Sequence, residues 1–242
     1  MIPYDRERIS LDFFYKNRVK IFQNRNGYRF SVDSPILADF IPPSEHPGLE
    51  IGSGSGIISL LLLYKRKLPF ITGVEIQESL FRLSKMSISE NSFEQVFRVV
   101  NDDFTRVYTE FNGIMTIFSN PPFLRTGTGH LSANPEIRKG KFEIDIDLET
   151  LVGKCASILG ERGNLFLILP YDRYDELISL SGVKGLYPVK RRKVLSFPDG
   201  KPERFLIQLS NYRNDPEEVS PLIIYHSVGV YSDEMELIFS GR

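Results

Sequence analysis

A doubly wound α/β fold, with a mostly parallel sheet of seven strands between two layers of helices, is what this 242-residue sequence predicts. Three observations predict it. From about residue 47, short apolar runs alternate with longer segments of helical period. A glycine-rich turn, Gly52-Ser53-Gly54-Ser55-Gly56, joins the first of those runs to the first helix. A second turn, Asn120-Pro121-Pro122-Phe123, follows the fourth run, where the carboxyl ends of such a sheet form a ligand crevice.

Taken in order, residues 1–45 form a leader expected to pack on the main fold. Val19–Phe22 and Tyr28–Val32 are β-like runs around Asn24-Arg25-Asn26-Gly27, whose Asn-Gly ending signals a hairpin. Ser34–Phe40 is a short helix closed by Pro42-Pro43. The core, residues 46–212, opens with strand Gly48–Ile51 and helix Ile57–Lys65. Strand Phe70–Ile76, helix Glu78–Glu90 and strands Val96–Val100 and Ile114–Phe118 follow. After a long loop come helix Asp147–Ile158, strand Asn164–Leu169, helix Tyr174–Ser181 and a closing pair, Lys184–Leu195 with Phe205–Leu209. Residues 213–242 make a small tail: Pro216–Glu218 and Pro221 mark a loop, with Leu222–Tyr225 and Glu234–Phe239 beyond it. The whole is expected to be one domain.

Hydrophobic residues make up 41% and charged residues 25%, as in an ordinary globular protein. Thirty basic residues against 31 acidic ones leave a net charge of −1, so any polyanion site must be a local patch. The one cysteine, Cys155, excludes an internal disulfide and suits a reducing compartment. No apolar run approaches the roughly 20 residues that span a bilayer. The first ten residues carry charge where a signal peptide needs an apolar stretch, so a cytoplasmic location is expected. His46, His130, His226 and Cys155 lack metal-ligand spacing, and no metal is expected.

The glycine turn allows positive φ and close approach of a ligand to the backbone. A dinucleotide fingerprint, G-x-G-x-x-G/A, needs a small sixth residue; counting from Gly52 that residue is Ile57. The spacing G-x-G-x-G favours a ligand without a pyrophosphate. Glu75 ends the second strand, where a carboxylate can accept from both hydroxyls of a ribose. Asp102 and Asp103 end the third; one can contact an adenine amino group and the other cap the helix before Phe104. Ser53 and Ser55 read as loop hydroxyls, since no partner histidine can be placed.

In Asn120-Pro121-Pro122-Phe123 the two prolines make a rigid shelf. The Asn120 side-chain oxygen and the backbone carbonyl of Pro121 can both accept from one amino group. That draws the nitrogen lone pair out of conjugation and makes it nucleophilic. Phe123 offers a face for a planar group, worth roughly 1–3 kcal/mol for a base.

On these residues the chain resembles the class I N-methyltransferases with an (Asn/Asp)-Pro-Pro-(Tyr/Phe) motif and a Rossmann-like fold. More closely, it resembles the tRNA1(Val) (adenine-N6)-methyltransferase family. The likeness includes Gly27–Asp33, Ile36-Leu37-Ala38, the glycine turn, Glu75, Asp102 and Ser119–Phe123, with Leu169-Pro170 and Tyr225 later. It implies S-adenosylmethionine as cofactor. Phe30, Asp33, Glu50, Gly52, Gly54, Gly56, Glu75, Ile76, Asp102, Asp103 and Asn120 would hold it, and Asn120, Pro121, Pro122 and Phe123 would hold the target amino group. Two departures stand out. Glu50 replaces a usual aspartate, and Arg138-Lys139-Gly140-Lys141-Phe142-Glu143 lacks a histidine that relatives often carry there, which bears on the substrate and not on methyl transfer.

Basic clusters at Arg6/Arg8, Lys16/Arg18/Lys20, Arg25/Arg29, Arg138/Lys139/Lys141 and Lys190-Arg191-Arg192-Lys193 suit RNA phosphates, the last best of all. The expected activity is methylation of adenosine N6 in tRNA. The alternatives are a glutamine amide of a release factor or guanine N2 of ribosomal RNA on the same shelf, a nicotinamide oxidoreductase, and a non-catalytic RNA-binding relic.

Overall fold

The computed structural model describes residues 4–27, 29–121 and 146–241. Pro122, Phe123, Arg138, Lys139 and Lys141 therefore lie outside the described residues. The leader holds β1 (Ile9–Phe14), β2 (Val19–Asn24) and α1 (Asp33–Phe40). The core runs β3 (Gly48–Ile51), α2 (Ile57–Tyr64), β4 (Ile71–Val74), α3 (Glu78–Glu90), β5 (Phe97–Val100), α4 (Phe104–Val107) and β6 (Ile114–Ser119). It continues through α5 (Leu148–Ile158), β7 (Leu159–Pro170), α6 (Tyr174–Val183), β8 (Tyr187–Leu195) and β9 (Pro202–Ser210). The last elements are β10 (Glu217–Ile223), the β11 (Tyr225–Ser227) and β12 (Val230–Tyr231) ribbon, and α7 (Asp233–Ser240).

The sheet has the order β10-β8-β9-β7-β6-β3-β4-β5, and only β9 runs against the others. This is the Rossmann-like, doubly wound arrangement expected. From β3 the chain winds outward through β4 to β5, then returns to β6 on the other side of β3. That reversal puts the topological switch point between β3 and β6, and the crevice at their carboxyl ends is where such sheets bind ligands.

Alternation along β7 shows how the sheet serves two cores. Phe166 and Ile168 face a cluster with α1, α2 and α7, while Leu165, Leu167 and Leu169 face a second with α4, α5 and α6. Helix α2 is buried nearly all round, from Ile57 to Leu63. Such a helix needs apolar cover on both sides. The sheet covers one, and Ile36, Leu37 and Ala38 of α1 belong to the cluster that covers the other. Each fully buried leucine contributes roughly 1.5–3 kcal/mol, so the leader is part of the core's stability.

Two expectations need correction. The leader hairpin pairs β1 with β2, and its turn is Tyr15-Lys16-Asn17, all three at positive φ. Asn24–Gly27 makes a separate turn, held by Arg25 N–H to the Arg8 carbonyl at 2.8 Å. Residues 29–32 are not a strand, because Phe30 turns to pack on Phe14 and the chain enters α1. The sheet also has eight strands and not seven. β10 joins as an edge strand parallel to β8, and its irregular pairing between Val219 and Leu222 accommodates Pro221.

Candidate functional site

The turn after β3 is tied to its neighbours by hydrogen bonds. Gly52 and Ser53 donate their N–H groups to the Val74 carbonyl at 2.9 and 3.1 Å, and Ser119 Oγ donates to the Ile51 carbonyl at 2.7 Å. The carboxyl ends of β4, β3 and β6 are thereby fixed side by side. Gly52 and Gly54 have φ of 68° and 56°, and a Cβ on either would meet no atom within 4 Å. Their backbone therefore borders open space, a cradle that a side chain would fill. Gly56 differs: at φ 89° a Cβ would come within 2.9 Å of Ser84 Oγ and 3.0 Å of Phe97. It is required for packing at the start of α2. Both Ser53 and Ser55 are buried, and Ser53 Oγ has no partner among the described residues.

Glu75 is 4% exposed. Its Oε2 accepts from Gly54 N–H at 2.7 Å and its Oε1 from Gln77 N–H at 2.8 Å. It bridges the glycine turn to the start of α3. Asn101 Nδ2 donates to the Glu75 carbonyl at 2.7 Å, tying the end of β5 to the end of β4. Ile76, next in the chain, is an exposed apolar side chain at this rim. Of Asp102 and Asp103, the second is the helix cap. Asp103 Oδ1 accepts from Thr105 N–H at 2.8 Å and caps α4, while Asp102 Oδ1 accepts from Asp103 N–H at 2.7 Å. Asp102 is left as the acid free of a helix-capping role.

Glu50 lies beneath the cradle, 1% exposed, accepting from the Ser59 hydroxyl. Burial pushes its carboxyl up to about 8, against the Ser59 hydrogen bond and with a smaller push from Glu75. Glu50 is then neutral in the folded protein at a pH where the unfolded chain has already lost the proton. Its contribution to stability is full below about pH 4.5 and is lost as pH rises toward 8, by roughly 1.4 kcal/mol per pH unit across that interval. In Glu50→Gln the amide still accepts from Ser59, so melting temperatures from pH 5 to 9 should fall less steeply than in the native protein. Parallel profiles would mean that Glu50 is ionised throughout.

Asn120 follows β6 directly. Its Nδ2 donates to Ser34 Oγ at 3.2 Å, and its Oδ1 is buried with no partner among the described residues. Pro121 is buried behind it. An unpaired buried oxygen costs free energy unless a ligand supplies a donor. Ser34 comes from the start of α1, so the leader positions the Asn120 side chain. The neighbouring Asp33 is 1% exposed. Its Oδ1 meets Arg204 Nε at 2.7 Å and its Oδ2 accepts from Ser31 Oγ at 2.8 Å. Burial raises the Asp33 carboxyl above its ordinary value, opposed by Arg204 and Ser31. Ser34 and Arg204 carried no motif in the sequence, because each acts through a partner far along the chain.

The open cradle, the carboxylate across it, and the partnerless oxygen one strand away fit a nucleoside-bearing cofactor such as S-adenosylmethionine. Gly52, Gly54, Glu75, Ile76 and Asp102 lie together at the carboxyl ends of β3, β4 and β5, and are the residues that would hold it. The Lys190–Lys193 run is not part of this group. It lies on β8, beyond β7 and β9, and most of its charge is paired. Lys190 meets Glu217 at 3.5 Å, Arg191 meets Glu218, and Arg192 meets Glu234 at 2.7 Å. The register of β10 on β8 sets the first two of these pairs opposite each other. Elsewhere Lys20 meets Glu90 at 2.8 Å and Arg29 meets Asp12 at 2.5 Å.

Known proteins resemble this chain in sequence and in fold. The family described as "Methyltransferase small domain" matches residues 28–139. The tRNA1(Val) (adenine(37)-N6)-methyltransferase of Bacteroides fragilis is 26% identical over 231 residues, covering 93% of this chain and 95% of its own. The enzyme of the same name from Flavobacterium psychrophilum is 24% identical, covering 94% and 97%. Among solved structures, a predicted O-methyltransferase from Agrobacterium tumefaciens superposes with a TM-score of 0.66 at 18% identity, covering 86% of this chain and 96% of that one. Methanocaldococcus jannaschii Trm5, solved with adenosine, gives 0.62 at 13% identity, covering 86% and 57%. Among the described residues, no helix is long and apolar enough to cross a membrane.

Proposed function

From the premise that this chain is a class I methyltransferase, with S-adenosylmethionine as its expected methyl donor, we propose that it methylates the N6 amino group of an adenosine in tRNA. The observation that carries the reading is the buried Oδ1 of Asn120, without a partner among the described residues, at the switch point beside the glycine cradle. Bound there, the cofactor supplies an electrophilic methyl group on its sulfonium. The chain's own residues do the rest. Asn120 Oδ1 accepts a hydrogen bond from the amino group and turns its lone pair toward the methyl carbon. Ser34 holds the other end of that amide, so the oxygen and not the nitrogen faces the substrate. The amino nitrogen sheds its proton after the transfer, so no general base is needed beforehand.

The names of the full-length relatives support adenine in tRNA as the acceptor, and position 37 of tRNA1(Val) as the place. A base in that position must leave its stack to reach a crevice at strand ends. The test is a pair of tRNA1(Val) transcripts, one native and one with guanosine for adenosine 37. Labelled methyl groups are expected in the native transcript alone, recovered as N6-methyladenosine. Equal labelling of both transcripts would overturn the assignment.

A further inference from the structure

A second pocket opens beside the crevice, where β7 ends and α6 begins. It encloses about 260 Å³, just under the roughly 300 Å³ at the low end of small-molecule sites, a size for one heterocycle. Tyr171 and Tyr174 form one wall, their rings parallel within 14° at 6.0 Å, and Phe205 braces Tyr174 edge-on at 5.1 Å. Arg191 enters from β8, bonded to the Tyr174 hydroxyl and the Glu218 carboxylate, and its Nε is buried with no partner among the described residues. Lys193, two residues on, is exposed and sits 6.0 Å over the Tyr171 ring. Within the run 190–193 it has no carboxylate partner among the described residues, whereas Lys190, Arg191 and Arg192 do.

Position adds to composition. β7 is the immediate neighbour of β6, with Ser119 opposite Leu167, so Tyr171, just past the carboxyl end of β7, follows the strand next to the one that leads to Asn120. Phe205 and Lys193 are opposite each other one and two strands further out. At about 4.8 Å per strand the pocket lies on the order of 10–15 Å from the shelf.

We propose that this pocket takes an unpaired base flanking the target nucleotide, stacked against Tyr171, with Arg191 Nε donating to an acceptor on the base edge and Lys193 meeting the adjoining phosphate. Aromatic faces are the usual platform for unstacked bases, and a free cation beside them supplies the backbone contact. The proposal rests on the tRNA reading above, which it extends from the acceptor to its neighbour.

The test uses the full chain with tRNA transcript as the probe. Tyr171→Leu is expected to weaken RNA binding about 5- to 150-fold, the range found when a stacking aromatic is lost. Lys193→Gln is expected to weaken it less and to lower the slope of log affinity against log salt by about 0.7–0.9, one phosphate contact. S-adenosylhomocysteine affinity and melting temperature report whether the fold survives, and neither should change in Lys193→Gln. If both variants bind and methylate tRNA as the native protein does, the pocket is not an RNA subsite, although the methyl transfer stands. If the native protein neither binds nor methylates tRNA, the tRNA reading falls and this proposal with it.

Discussion

Asn120→Ala should lower turnover a hundredfold or more while leaving cofactor affinity near its native value. The Oδ1 oxygen is buried with no partner among the described residues, so it is already in place before substrate arrives. Preorganised polar groups aimed at a reacting centre cost no reorganisation during the reaction. Removing one typically costs 10²–10³ in kcat. The alanine also frees Ser34 Oγ, a small loss beside the acceptor's own. Ser34→Ala makes the complementary case: the acceptor remains but its orientation is no longer held, and a smaller fall in kcat is expected. Single-turnover rates with saturating cofactor measure both. Unchanged turnover in Asn120→Ala would remove the shelf from the mechanism.

Glu75→Ala should weaken cofactor binding by roughly 1.5–3 kcal/mol, the range for a hydrogen bond to a charged group, or about 10- to 150-fold in Kd. Glu75 does two things at once. It receives the N–H groups of Gly54 and Gln77, which hold the cradle's shape. Under the proposed function it would also accept from the ribose hydroxyls of the cofactor. Glu75→Gln keeps one acceptor oxygen and removes the charge, so it should fall between the native protein and the alanine variant. Titration with S-adenosylhomocysteine measures the affinity, and a thermal scan without ligand separates loss of the turn from loss of the contact. Equal affinity in Glu75→Ala would mean that the carboxylate serves the turn alone.

The half of the sheet from β3 to β6 was legible because its signals are local. Gly48–Ile51, the glycine turn, Glu75 and the Ile114–Asn120 segment each show their place in the fold within a few residues, and alternation of strand and helix orders them. The other half was not, and a single strand accounts for much of the error. β10 contains Pro221 and follows Pro216, a composition that reads as loop, yet an edge strand tolerates a missing donor. Without β10 there is no Glu217 opposite Lys190 and no Glu218 opposite Arg191, so Lys190-Arg191-Arg192-Lys193 read as four free cations. In the fold only Lys193 of the four lacks a carboxylate partner among the described residues. The contacts Ser34–Asn120 and Asp33–Arg204 were invisible for a different reason. They join the leader to residues 86 positions onward and further, and nothing in a single chain's local pattern marks such pairs. The displaced hairpin shows the limit of turn signals: Asn26-Gly27 does mark a turn, but which strands pair is decided by burial of Val19, Ile21 and Phe22.

Under the proposed function, the Asn120 shelf delivers a methyl group to an adenine amino nitrogen in tRNA. That reading is tested most directly by offering labelled S-adenosylmethionine and the native protein a mixture of unmodified tRNA, ribosomal RNA and soluble protein, then identifying what carries the label. N6-methyladenosine is expected in the tRNA fraction, reduced a hundredfold or more in Asn120→Ala. Label in guanosine of ribosomal RNA, or in a glutamine side chain of a protein, would contradict it.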